Sequence, residues 1–128
     1  MTRSEVYDAI RDFVTNNVDV TGYVFQKRFW MDTGKNKRYI VLQEAGGGNI
    51  EESHQLDSFR LLFISSIDDP NIDEVENLAD EVRQQMTDIH SHGKIFLFEP
   101  ISGIPAVKSK EGRYIFTVAF HINLSRGK

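Results

Sequence analysis

Four histidines, His54, His90, His92 and His121, have the widest chemical reach in this 128-residue chain, since an imidazole serves as metal ligand, general acid or general base near neutral pH. Only His90 and His92 stand close together, around Ser91, and a metal site built on them needs further donors converging on the same ion. The chain has no cysteine, and the pair falls just before Gly93, where imidazoles commonly meet the last carbonyls of a helix. A helix terminus is the plainer reading, and no metal is assigned. Asp68-Asp69 looks like a fragment of a cation loop. No phased acidic series surrounds it, however, and Pro70 makes it a lead-in to a helix.

Catalytic signatures are equally sparse. No serine lies in a Gly-x-Ser-x-Gly elbow, and no glycine pattern follows a strand and opens a helix as dinucleotide binding requires. The stretch Arg38-Tyr-Ile-Val-Leu-Gln-Glu-Ala-Gly-Gly-Gly-Asn49 runs an apolar strand into Gly46, Gly47 and Gly48. It lacks the Lys-Ser/Thr of a phosphate-binding loop, and a second strand is expected to follow it. Rigid scaffold there meets a glycine loop, which makes Gly46 to Asn49 a candidate contact surface. A small enzyme could still assemble His121 with Asp57 or Glu99 from distant positions, but no catalytic residue and no cofactor is assigned.

The strongest interaction signal is Tyr23-Val-Phe-Gln-Lys-Arg-Phe-Trp30, followed by Lys35, Lys37 and Arg38. Aromatics alternating with cations form stacking platforms for single-stranded nucleic acid. They equally suit a protein interface, where Trp, Tyr and Arg are enriched. The plainer expectation is that Phe25, Phe29 and Trp30 pin an irregular segment to the core while the cations stay wet. The candidate protein interface comprises Lys27, Arg28, Trp30, Arg38, Gly46, Gly47, Gly48 and Asn49, together with Lys108, Lys110 and Arg113 from a second basic stretch.

These residues need elements to position them. Val6, Ile10, Phe13 and Val14 recur at helical spacing, so a first helix is predicted from Ser4, placed to cap, to about Asn17. Val18 to Lys37 reads as an irregular segment or short edge strand. Strands are expected at Lys37 to Glu44 and Asp57 to Ser66, pairing as antiparallel neighbours. After Pro70, Asn71 is placed to cap a second helix and Glu74 to close a capping box. Ile72, Val75, Ala79, Val82, Met86 and Ile89, widened by Leu78, give that helix a stripe running toward Gly93. Its other face carries Asp73, Glu74, Glu76, Asp80, Glu81 and Asp88 against Arg83, an acidic surface that repels phosphate.

Two further strands are predicted, Lys94 to Glu99 and Arg113 to about Leu124, joined by an arm through Pro100, Gly103, Pro105 and Lys108-Ser-Lys-Glu-Gly112. In the last strand Tyr114, Phe116, Val118, Phe120, Ile122 and Leu124 share the core face. The expected architecture is α+β, in the order α-β-β-α-β-β, with two helices packed on one face of a mainly antiparallel sheet. The predicted core includes Phe13, Val82, Met86, Phe116, Val118 and Phe120.

Length and composition bound the rest. The 128 residues suit one domain, 1–128, that buries a core without disulfides. No apolar run approaches the roughly 20 residues that span a bilayer, so no membrane association is expected. The start Met1-Thr-Arg-Ser-Glu leads straight into an amphipathic helix, which with the lack of cysteine predicts a cytoplasmic protein. A formal net charge of -4 disfavours general coating of nucleic acid.

The order of elements, the irregular aromatic segment before Arg38-Tyr-Ile-Val-Leu42 and the glycine loop beyond it together resemble the tail terminator proteins of long-tailed bacteriophages, in particular a prophage-encoded bacterial member. The likeness covers nearly the whole chain and is one of layout, so no functional residue is carried across by identity. It implies a non-enzymatic subunit that self-associates into a ring, expected to be a hexamer, on the end of a completed tail tube. The implied partners are the tail tube protein and the head-tail connector protein. The implied location is the host cytoplasm during assembly and the virion tail if the prophage is functional. The rival readings are a single-stranded nucleic-acid-binding module using Phe25 to Arg38 and a small enzyme.

Overall fold

The computed structural model describes residues 2–44, 56–89, 95–101 and 103–124. Helix α1 runs Arg3–Asn17, and its cap is Thr2 where the sequence pointed to Ser4. The Thr2 hydroxyl accepts the Glu5 N–H at 3.1 Å while the Glu5 carboxylate accepts the Thr2 N–H at 2.7 Å. Two backbone donors at the helix start are thereby satisfied reciprocally, which starting at Ser4 would have left open. Strands β1 (Tyr23–Lys27), β2 (Arg38–Glu44) and β3 (Leu56–Ile64) follow, then helix α2 (Ile72–Ile89) and strands β4 (Ile95–Pro100), β5 (Ala106–Lys108) and β6 (Tyr114–Leu124).

The fold is α+β with a six-stranded mixed sheet in the order β1-β2-β3-β6-β4, and β5 also pairs with β6. The expected order is therefore extended by two short strands, β1 in the segment read as irregular or edge, and β5 inside the arm. Strands β2 and β3 pair antiparallel as expected, with Val41 opposite Leu62. Strand β1 departs from the antiparallel plan by running parallel to β2, with Tyr23 opposite Arg38 and Lys27 opposite Leu42.

Alternation in the strands sorts their residues between two clusters. The larger cluster holds Val6, Tyr7, Ile10, Phe13 and Val14 of α1, and Val75, Leu78, Ala79, Val82 and Met86 of α2. They meet Ile40, Leu42, Phe59, Leu61, Phe63, Phe98, Phe116, Val118, Phe120 and Ile122 of the sheet. All six core positions predicted from the sequence are among them. Phe13 packs on Phe98 with ring centres 4.5 Å apart, and Tyr7 meets Phe59 edge-on at 5.7 Å. Each such fully buried side chain contributes about 1.5–3 kcal/mol. Exposed ion pairs are screened and contribute little by comparison, so this cluster dominates stability. The smaller cluster, Tyr39, Val41 and Ile64 with Val24, Trp30, Leu62 and Ile115 against it, lies on the alternate positions of the same strands.

Candidate interface

The aromatic and basic segment is built around edge strand β1. Its pairing continues one residue beyond the strand, where the Arg28 N–H donates to the Leu42 carbonyl at 2.7 Å. Arg28 then takes a positive φ of 73°, and the Phe29 N–H turns back to the Lys27 carbonyl at 2.8 Å. The Gln26 side chain closes this turn. Its amide nitrogen donates to the Met31 carbonyl and its amide oxygen accepts the Met31 N–H, both at 2.8 Å. A side chain thus replaces a strand partner, and the apex it fixes carries Phe29, 80% exposed, and Met31, 68% exposed.

That outcome corrects one expectation. Phe25 packs against the main core and Trp30 against the smaller cluster, but Phe29 points outward. The reason is local: with Gln26 bridging to Met31, the turn has one position facing the sheet, and Trp30 takes it, edge-on to Tyr39 at 5.8 Å.

Arg113 holds the remainder of the segment. Although the sequence grouped it with surface cations, it is 0% exposed. Its Nη1 donates to the carbonyls of Ser65 at 2.7 Å and Lys37 at 2.9 Å, and its Nη2 to the Gly34 carbonyl at 2.8 Å and to Asp32 Oδ1 at 3.1 Å. The guanidinium carbon lies 5.5 Å from the Trp30 ring centre and 5.3 Å from that of Tyr39. The Gly34 N–H, and then Arg113, hold the Asp32 carboxyl below its usual range. The Tyr39 hydroxyl accepts the Thr33 N–H at 2.7 Å and donates to Asp32 at 3.2 Å. Residues 30–37 are therefore fastened to the sheet at several points.

Arg38 is committed in a similar way. Its Nε and Nη2 form a two-pronged pair with the buried Asp69 carboxylate, both at 2.8 Å, and its Nη1 reaches Glu74 at 2.9 Å. The sequence had assigned Glu74 to a capping box, yet its carboxylate goes to Arg38. Asp69 accepts the N–H groups of Ser66 and Asn71 at the entry to α2. Arg38, then these N–H groups, drive the Asp69 carboxyl far below the carboxylate range, and Asp69 raises Arg38 in turn. Beside this network is a cleft of about 320 Å³ lined by Asp19, Thr21, Tyr23, Arg38, Glu74, Asn77, Leu78 and Glu81.

Of the other candidate residues, Lys27 is half-buried and paired with Asp8 at 2.8 Å, and that hydrogen bond holds Asp8 below its usual range. Arg28 is exposed, with its guanidinium 4.7 Å from the Tyr7 ring centre. Lys108 and Lys110 are exposed on the arm, Lys108 lying 5.4 Å from the Tyr114 ring centre. Gly46, Gly47, Gly48 and Asn49 lie outside the described residues, as do His54, His90 and His92. His121 shares a 2.8 Å hydrogen bond between its Nδ1 and Ser58 Oγ, and pairs in register with Ser58 and Glu99. Among the described residues no three His, Asp or Glu side chains gather as a metal site would require.

The structure thus places Lys27, Arg28 and Trp30 at the end of β1 and in its following turn, Arg38 at the start of β2 opposite Tyr23, and Lys108 and Lys110 on the separate arm. Sequence reading missed Asp69 and Asp8, which bind two of those cations, and the outward Phe29. An aspartate repeated directly before Pro70 was the one available signal for Asp69. The nucleic-acid reading loses two of its platforms, because the Trp30 ring faces Arg113 and Phe25 packs inward, while Phe29 stays exposed.

The sequence model of the family described as phage tail termination protein matches residues 3–126. No curated protein matches the chain.

Proposed function

The chain belongs to the phage tail termination protein family, and we propose that it caps the completed tail tube as a ring. A part in phage tail assembly follows from that membership. The ring, expected to be a hexamer, stops further addition of tube subunits and forms part of the head-tail junction. The chain acts without catalysis as one domain, 1–128, with both helices covering one face of its sheet. Its partners are further copies of itself, the tail tube protein and the head-tail connector. Gly46 to Asn49 and the arm bearing Lys108 and Lys110 are candidates for the outer contacts. It works in the host cytoplasm and, where a prophage encoding it is functional, stays in the virion tail.

The observation that carries the ring is the division of charge over the surface. Helix α2 exposes Asp73, Glu74, Glu76, Asp80, Glu81 and Asp88, whereas Arg28, Lys35, Lys37, Lys108 and Lys110 are exposed on other elements. A closed ring needs two different, complementary patches on every subunit, and opposite charge supplies complementarity and steering. The test is assembly of tail tubes with and without the purified protein, followed by electron microscopy. Capped tubes of limited length, with rings on their ends and weaker capping at high salt, are expected. Tubes that elongate equally in its presence and carry no density at their ends would overturn the reading.

A further inference from the structure

Two surface features among the described residues complement each other. One is the turn after β1, with Arg28, Phe29 and Met31 at its apex. The other is the cleft lined by Asp19, Tyr23, Leu78, Glu74 and Glu81. We propose that, in the ring argued for above, the Phe29 apex of one subunit inserts into this cleft on the next, with Arg28 facing its acidic residues.

The shape of the knob favours the contact. Phe29 is the most exposed large apolar side chain among the described residues, and Met31, two positions on, is exposed as well. An exposed aromatic ring of this kind is the type of anchor that subunit contacts bury. The Gln26 bridge to Met31 and the Arg28 bond to Leu42 hold the apex in place before any partner arrives, which lowers the ordering cost of binding.

Size and charge of the cleft match it. About 320 Å³ is at the small end of binding clefts and accommodates one aromatic side chain. Its lining includes an apolar residue, Leu78, and the half-buried Tyr23. Its lining also carries Asp19, Glu74 and Glu81, and its one cation, Arg38, is already taken by Asp69 and Glu74. The cleft is therefore an acidic partner for Arg28.

Placement makes the contact run head to tail. Tyr23 and Arg38 begin β1 and β2, whereas Arg28 and Phe29 follow the end of β1. The two patches are thus separated by the length of that strand, roughly 15 Å, and a subunit cannot fill its own cleft. A knob at one end and a socket at the other generate a heterologous contact, which closes into a ring when the rotation permits.

This inference rests on the ring reading, so the experiment follows wild-type rings first, by native mass spectrometry and electron microscopy of the concentrated protein and of protein mixed with tail tubes. Phe29→Asp, Arg28→Glu and Glu81→Lys alter exposed side chains and are checked for native circular dichroism. Each is expected to weaken ring formation about tenfold or more, as loss of an interface anchor does, and Arg28→Glu combined with Glu81→Lys should restore it. Because the chain has no cysteine, the double variant Phe29→Cys with Asn77→Cys should cross-link under oxidation into a ladder of subunits, whereas Phe29→Cys alone should stay uncross-linked. Rings from Phe29→Asp and Arg28→Glu at the wild-type level, or loss of tube binding alone with rings intact, overturn the knob and socket and leave the ring reading standing. Wild-type protein that forms no ring in any condition overturns both.

Discussion

The guanidinium of Arg113 lies against the Trp30 ring, its central carbon 5.5 Å from the ring centre, at the point where the start of β6 meets the segment between β1 and β2. Three backbone carbonyls and Asp32 surround the same group. Four hydrogen bonds from its Nη1 and Nη2 offset the cost of enclosing this cation, while its buried Nε has no partner among the described residues, so Arg113 organises the loop around its Nη atoms. Arg113→Met should strand the carbonyls of Lys37, Ser65 and Gly34 and cost about 2–4 kcal/mol. Trp30 is the chain's one tryptophan, so its emission should shift to the red as the segment loosens. Unchanged emission and an unchanged denaturation midpoint would show that the loop is held by other contacts.

Asp69 and Arg38 form the second such fastening, and it is sensitive to acid. The folded protein holds the Asp69 carboxyl below its ordinary value, chiefly through the Arg38 hydrogen bonds. The unfolded chain therefore takes up the proton first, and folding loses this contribution as pH falls below about 4, the ordinary carboxylate value. Above that value the contribution is fully present. Urea midpoints measured from pH 3 to 7 should fall more steeply at the acid end for wild type than for Asp69→Asn. Asp69→Ala should cost about 3 kcal/mol at neutral pH, since it leaves Arg38 without its main partner. Parallel pH profiles for wild type and Asp69→Asn would assign the acid sensitivity elsewhere.

Two glycines separate backbone strain from crowding. Gly112 has a φ of 97°, and a Cβ there would stand 2.9 Å from Asp68 Oδ1. Gly22 has a similar φ of 90° but open space around the same position. Gly22→Ala should cost about 1 kcal/mol, the conformational term alone. Gly112→Ala should cost about 1–2 kcal/mol more, because the Asp68 N–H that donates to the Gly112 carbonyl ties the two loops together. Equal losses from the two substitutions, measured by thermal unfolding, would show that the Asp68 side chain simply moves aside.

How far the sequence could be read follows from the range of each interaction. The stripes of α1 and α2 and the alternation of β6 are periodic, so Val82, Phe116 and Phe120 could be placed in the core from spacing alone. Strand β1 was obscure because it pairs parallel with β2 through a link, Arg28 to Lys37, that has no helix to announce a crossover. Strand β5 spans only Ala106–Lys108 and has no pattern to detect. The candidate interface was the least legible part. Whether a cation is at the surface depends on partners distant in sequence. Arg38 and Arg113 looked like Arg28, yet Asp69 and a ring of carbonyls claim the first two.

The last prediction concerns the basic turn that the assembly and nucleic-acid readings both invoke. If Lys27 and Arg28 bind single strands, wild-type protein should show a steeply salt-dependent affinity for oligonucleotides, since each phosphate contact releases counterions. Lys27 is instead paired with Asp8, and the neighbouring Trp30 ring faces Arg113. A phosphate at Lys27 or a base at Trp30 would have to displace an existing partner, which leaves Arg28 and Phe29 as the open contacts of the turn. Wild-type binding to a single-stranded oligonucleotide should therefore be feeble at physiological salt, and Lys27→Glu combined with Arg28→Glu should change it little. The same double variant should impair ring formation on tail tubes, because it reverses the charge beside Phe29. Fluorescence anisotropy and electron microscopy on the same preparations check both parts. Sub-micromolar oligonucleotide binding that disappears in the double variant while tail capping stays normal would make the turn a nucleic-acid site and remove it from the subunit contact.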